Sequence, residues 1–141
     1  MRELYLAGNI GNLSAEECTK RFNEGKEKLE KLGFIVRSPI RGKVLTSLEM
    51  VEKEEYIYEP GEIVIRDLWD IDRAELVVAM PMDGSIGTFM EIFYAAHIKH
   101  IPVIVVAESS RIKLHYWIRF LAAKIVPNLD EAINYIQRWY L

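Results

Sequence analysis

Five short apolar runs alternate along the chain with longer stretches in which apolar positions recur every three or four residues. The runs are "RELYLAG" (2–8), "FIVRS" (34–38), "LVVAM" (76–80), "IPVIVVA" (101–107) and the shorter "KIV" (124–126). Their mostly unbroken apolar character predicts strands covered on both faces rather than strands with one wet face. Between the first two lies "SAEECTKRFNEGKEKLEKLG", a predicted helix that opens with a Ser14–Glu17 capping box and stops at Gly33. The last helix is predicted to start near Asn128, just after Pro127, and to run through "LDEAINYIQRWYL". "EIVIRDLWDIDRA" (62–74) is rich in β-branched residues, but Val64, Leu68 and Ile71 fall at helical spacing, which predicts a helix leading into the third strand. Strands alternating with helices predict one α/β domain over residues 1–141: a doubly wound, Rossmann-like, five-stranded parallel sheet with helices on both faces. Residues 38–60, punctuated by Pro39, Gly42 and Pro60, read as a partly helical excursion.

The composition agrees with this picture and removes several alternatives. A chain of 141 residues, half of them hydrophobic and 28% charged with both signs interspersed, can bury a core without staples. The net charge of −3 offers no basic surface for nucleic acid. The apolar runs are far shorter than the roughly 20 residues that cross a bilayer, so no membrane partner is expected. Cys18 is the single cysteine, and "MRELYLAG" lacks the sections of a secretory signal, which gives a cytoplasmic expectation.

Ligands of open α/β sheets bind beyond the carboxyl ends of the strands, which singles out three loops. In "AGNIGN" (7–12), Gly8 and Gly11 would let backbone approach a ligand. In "PMDGSIGT" (81–88), Gly84 and Gly87 would permit a tight turn, Ser85 would point a hydroxyl inward and Thr88 would cap the following helix. A helix start of this kind favours an anion such as phosphate. Glu91 would then lie in the first turn, as a nucleophile or base, or simply as the partner of Thr88 in a capping box. The third loop, "ESSRI" (108–112), offers Ser109 and Ser110, with Arg111 and Lys113 read as a solvated helix start. Asp67 shares a helix side with Ile63 and Asp70, and without a role in a site it would be a solvated or salt-bridged residue. His97 and His100 in "HIKH" lack a third neighbouring ligand, so no metal is expected, and their place at a helix end is explained by the dipole. Tyr116, Trp117 and Phe120 recur at helical spacing as core or interface residues, and Trp139 and Tyr140 as a packed helix end or subunit contact.

Four spaced segments, "YLAG" (5–8), "DLWDIDRAELVVA" (67–79), "GSIGTFMEIFYAA" (84–96) and "PVIVV" (102–106), resemble the nucleoside 2-deoxyribosyltransferase superfamily. Within it they are most similar to the 2′-deoxynucleoside 5′-monophosphate N-glycosidases. The resemblance implies that Glu91 is the nucleophile at the anomeric carbon, that Asp67 assists at sugar and base, and that Tyr5 lies near the sugar. It further implies that Ser85, six residues before the glutamate, contacts a 5′-phosphate where transferases of unphosphorylated nucleosides carry aspartate. Gly8, Asn9, Ile10 and Gly87 complete the implied substrate site; Asn9 replaces a serine of the hydrolases, and Phe89 replaces the more usual second glycine. "PMDGSIGTFME" is also locally similar to the "PGGxGTxxE" motif of cytokinin-type phosphoribohydrolases, which act on the same bond. The implied function is hydrolysis of the base–sugar bond of a (deoxy)nucleoside 5′-monophosphate without metal or cofactor, in a homodimer or higher even oligomer. The alternatives are base exchange by a deoxyribosyltransferase and nucleotide sensing without turnover.

Overall fold

Alternating side chains on the central strands sort into two cores, one on each side of the sheet. In the computed structural model, which describes residues 2–9, 14–40, 53 and 58–141, the strands are β1 (Glu3–Gly8), β2 (Ile35–Arg37), β3 (Leu76–Met80), β4 (Val103–Val106) and β5 (Lys124–Val126). All pair in parallel in the order β2-β1-β3-β4-β5. The described helices are α1 (Ala15–Glu30), α2 (Pro60–Arg73), α3 (Ile86–Phe93), α4 (Ser110–Lys113), α5 (Tyr116–Leu121) and α6 (Leu129–Trp139). The doubly wound parallel architecture expected from the apolar runs is therefore the observed one. The excursion at 38–60 lies mostly outside the described residues.

Leu4, Leu6, Leu76, Val78, Ile104 and Val106 point to one face, where Phe22 and Leu29 of α1 and Ala132 and Ile136 of α6 cover them. Tyr5, Ala7, Val77, Ala79, Val103 and Val105 point to the other, against Ile71 of α2, Ile92 of α3, Ile112 and Ile118. Full burial of an aliphatic side chain contributes about 1.5–3 kcal/mol, so two opposed layers of this kind hold the sheet in place.

Local chemistry sets the helix ends. The Ser14 side chain accepts from the Glu17 N–H at 3.1 Å, and the chain leaves the turn after α1 at Gly33 with φ of 96°, a conformation that costs glycine little. The Asn128 side chain accepts from the Glu131 N–H at 2.9 Å and starts α6. Pro60 begins α2, where its missing N–H costs nothing. The segment with β-branched residues is helical as its spacing predicted, because Asp67, Asp70 and Ile71 form its buried side. After Phe93, α3 widens into one π-type turn over Tyr94–Ile98, closed by the Lys99 N–H on the Tyr94 carbonyl at 3.0 Å.

Candidate functional site

From β1 the chain winds outward to β2 on one side and returns to β3 on the other, so the winding direction reverses between β1 and β3. Loops diverge at such a switch point and leave a crevice beyond the strand ends. Here it is a cleft of about 430 Å³, within the usual size range of small-molecule sites. Gly8 and Asn9 follow β1, and Pro39 follows β2. Ile63, Val64, Asp67 and Leu68 of α2 line the cleft together with Gly84, Ser85, Ile86, Gly87, Thr88, Met90 and Glu91.

Tyr5 of β1 is fully buried among apolar side chains and meets the cleft through Glu91. A buried hydroxyl needs a partner, and Tyr5 Oη donates to Glu91 Oε2. Burial first, then the charges of Glu91 and Asp67, push the phenol well above its ordinary value, so it remains a donor. Glu91 is in reach because Thr88, Ile92 and Ala95 form the buried side of α3 and its extension, with Glu91 on the flank of that side toward the cleft. Asp67 is 8% exposed and lines the same cleft, so it is not the solvated residue it would be without a role in a site. A carboxylate oriented by a buried phenol can attack or stabilise an electron-poor carbon, and a second carboxylate lines the same cleft.

The start of α3 differs from the sequence expectation. Its N-cap is Ser85 and its first residue Ile86, so Thr88 lies buried within the first turn and is not a cap. Glu91 accordingly sits in the second turn, and the Thr88–Glu91 capping box is not formed. The reason is the preceding turn: Gly84 adopts φ of 83°, and the Ser85 N–H bonds the Met82 carbonyl at 3.1 Å, which brings Ser85 to the helix entrance. Ser85 is buried, and its Oγ accepts from the Met82 N–H at 2.9 Å. Gly87 is in the helix rather than in the turn, and a Cβ there would meet nothing within 4 Å. Gly8 has a packing reason as well, since a Cβ would lie 2.9 Å from Phe22 Cζ.

Gly8, Asn9, Asp67, Ser85, Gly87 and Glu91 therefore line one cleft, Tyr5 is joined to it by its hydrogen bond to Glu91, and Ile10 lies outside the described residues. Asn9 is buried, and its Nδ2 donates to Met82 Sδ at 3.8 Å. The apolar walls, Val64 and Leu68 against Ile86 and Met90, had no distinct sequence signal, because helical spacing does not separate cleft-facing from core-facing positions.

The third loop serves mainly its own architecture. Ser109 Oγ accepts from the Ile112 N–H at 3.3 Å, while Asp83 receives the Ser109 hydroxyl at 3.4 Å and approaches Arg111 at 3.7 Å. Arg111 is exposed, as expected of a solvated helix start. His97 stacks on Phe93 with ring centroids 5.3 Å apart, and His100 adopts a left-handed φ of 56°. No cluster of potential metal ligands occurs among the described residues. Tyr116, Trp117 and Phe120 are exposed, which removes the core half of their expected role. Trp117 instead lines an apolar groove of about 700 Å³ with Phe89, Phe93, His115, Ile118 and Leu121, sharing Ile86 and Met90 with the cleft.

No family model matches the sequence, and no curated protein matches it. Solved structures do share its fold. A 2-deoxyribosyltransferase from the psychrotolerant bacterium Bacillus psychrosaccharolyticus, described as a biocatalyst for nucleoside synthesis, superposes with a TM-score of 0.68 at 21% identity, covering 94% of this chain and 91% of that one. A conserved protein from Enterococcus faecalis V583 gives 0.67 at 17% identity over 98% of each chain. A 2-desoxiribosyltransferase from Leishmania mexicana gives 0.66 at 11% identity over the whole of both. At these identities the likeness is one of fold: a Rossmann-like α/β domain also adopted by 2-deoxyribosyltransferases. Among the described residues, no helix is long and apolar enough to cross a membrane.

Proposed function

We propose that this chain is an N-glycosidase that hydrolyses the base–sugar bond of a (deoxy)nucleoside 5′-monophosphate. The observation that carries the reading is the Tyr5–Glu91 hydrogen bond, with Glu91 and Asp67 lining the same cleft. In the proposed reaction, a Glu91 oxygen bonds to the anomeric carbon as the carbon–nitrogen bond breaks and its electron pair leaves with the base. Asp67 relays a proton from solvent to the departing base, which leaves neutral. Water then cleaves the glycosyl ester, its hydroxyl going to the anomeric carbon and its proton returning to solvent through Asp67, which gives the sugar phosphate and restores the Glu91 carboxylate. The 5′-phosphate is placed at the entrance of α3, where the helix dipole favours an anion, Ser85 supplies a hydroxyl and Gly87 leaves room.

Base exchange is the second reading, favoured by the two 2-deoxyribosyltransferases that share the fold. One experiment tests both: ribo- and deoxyribonucleoside monophosphates and the matching nucleosides are incubated with the protein, with and without a second free base. Release of free base from monophosphates, independent of added base and at least about a hundredfold more efficient than from nucleosides, is expected, because losing several charge-assisted hydrogen bonds of about 1.5–3 kcal/mol each removes that much. Turnover only when a second base is present, or equal use of nucleosides, moves the exchange reading ahead. We further propose a homodimer or higher even oligomer built on the exposed apolar face beside the cleft, where Ile86, Met90, Trp117 and Phe120 would otherwise face water.

A further inference from the structure

Glu3, Tyr5 and Ala7 alternate to one face of β1, and the strand register puts Arg37 of β2 beside Tyr5. Helix α2 packs on that face with Asp67, Asp70 and Ile71 inward. Asp70 is only 1% exposed, a costly place for a carboxylate unless it is paired. Arg73 pairs with it, Nη2 lying 2.5 Å from Asp70 Oδ1. Arg73 Nε also approaches Glu3 Oε2 at 3.8 Å, and Glu3 Oε1 accepts from Arg37 Nη2 at 3.1 Å. The series Asp70–Arg73–Glu3–Arg37 thus laces α2 to β1 and β2 on the sheet face that carries Tyr5. Asp67 stands one helical turn from Asp70, toward the cleft.

We propose that Asp70 is a positioning residue of the site: clamped through Arg73 to Glu3, it fixes the rotation of α2 on β1 and so sets where Asp67 stands relative to the Tyr5–Glu91 pair. An apolar residue would fill the position without any desolvation cost, whereas Asp70, buried and paired with the half-exposed Arg73, holds that guanidinium where it reaches Glu3 of β1. The Asp70 charge also contributes, after burial, Glu91 and Asp67, to keeping the Tyr5 phenol protonated. The kinetic consequence rests on the nucleotide-cleaving reading, and the effect on Tyr5 does not.

The test uses Asp70→Asn and Arg73→Gln in the full chain. Each should lower kcat about tenfold and leave KM within about twofold, the pattern of a group that acts on transition-state geometry. In an Asp67→Asn background, Asp70→Asn should cost less than about a further twofold, because the residue through which it acts is already gone. The Tyr5 hydroxyl proton, assigned in the NMR spectrum by its loss in Tyr5→Phe, should shift in both variants. Lower melting temperatures with fully additive kinetics and an unmoved Tyr5 signal would overturn the inference. Should Asp70→Asn fail to fold, Arg73→Gln, at a half-exposed position, carries the same measurements. If the wild-type chain cleaves no nucleotide, the functional reading falls, and the Tyr5 signal alone decides the role of Asp70.

Discussion

Tyr5 occupies a strand position that an aliphatic residue would fill as well, and its phenol is explained by Glu91 rather than by packing. On the proposed reaction, Glu91→Gln keeps the shape of the side chain but loses the nucleophile. Turnover should fall on the order of a thousandfold or more with circular dichroism unchanged, and wild-type rates would remove Glu91 from the mechanism. Tyr5→Phe gives a second prediction that needs no substrate. The folded-state value of the phenol is raised above 10.0 by burial and then by Glu91 and Asp67, so the folded chain keeps a proton that the unfolded chain releases. Its contribution to stability is complete below about pH 10 and declines as pH rises from there toward the folded value. In thermal melts above pH 10, wild type should therefore lose stability more steeply than Tyr5→Phe. Tyr94 and Tyr140 are also raised, by the Asp72 hydrogen bond and by burial respectively, but they are common to both proteins and cancel. Parallel slopes would contradict the assignment.

At the scale of the element, α3 shows how far a motif can be read locally. "SIGTFME" offers two hydroxyl residues three apart, and either could cap a helix; capping preference alone does not choose between Ser85 and Thr88. In the structure neither hydroxyl does so: the left-handed turn at Gly84 brings Ser85 to the N-cap position, where its Oγ accepts from the Met82 N–H rather than from a helical N–H, and Thr88 is buried with Ile92. This reassignment leaves Gly87 as a glycine inside a helix with no steric reason within the described chain. Gly87→Ala should consequently raise the melting temperature by about 1–4 °C, since glycine inside a helix costs roughly 0.5–1 kcal/mol. The same methyl group would intrude where the phosphate is placed, so kcat/KM should fall for monophosphates more than for nucleosides. A stabilised variant with an unaltered monophosphate preference would move the phosphate away from this helix start.

For the whole molecule, the unusual property is its apolar surface beside the cleft. Ile86 is 71% exposed, Phe120 73% and Trp117 60%, side chains that a soluble monomer seldom leaves in water together. Light scattering at micromolar concentration should give twice the chain mass or a higher even multiple. Phe120→Glu should shift that mass toward the monomer, and a monomeric wild type would count against assembly through this face.

Sequence alone determined the elements and the class of fold. Unbroken apolar runs fix buried strands, helical spacing fixes α2 against its β-branched content, and Ser14, Gly33 and Asn128 fix helix ends through contacts with near neighbours in the chain. The four spaced segments also contain Gly8, Asp67, Ser85, Gly87 and Glu91, which line the cleft. The tertiary structure decided the rest: the sheet order that opens a crevice between β1 and β3, and the hydrogen bond between Tyr5 and Glu91, 86 residues apart. It also closed the Asp70–Arg73–Glu3 series and left the aromatic side chains of α5 in water instead of in the core. Periodicity records which side of an element is apolar, and only the packing of elements distant in sequence determines what that side meets.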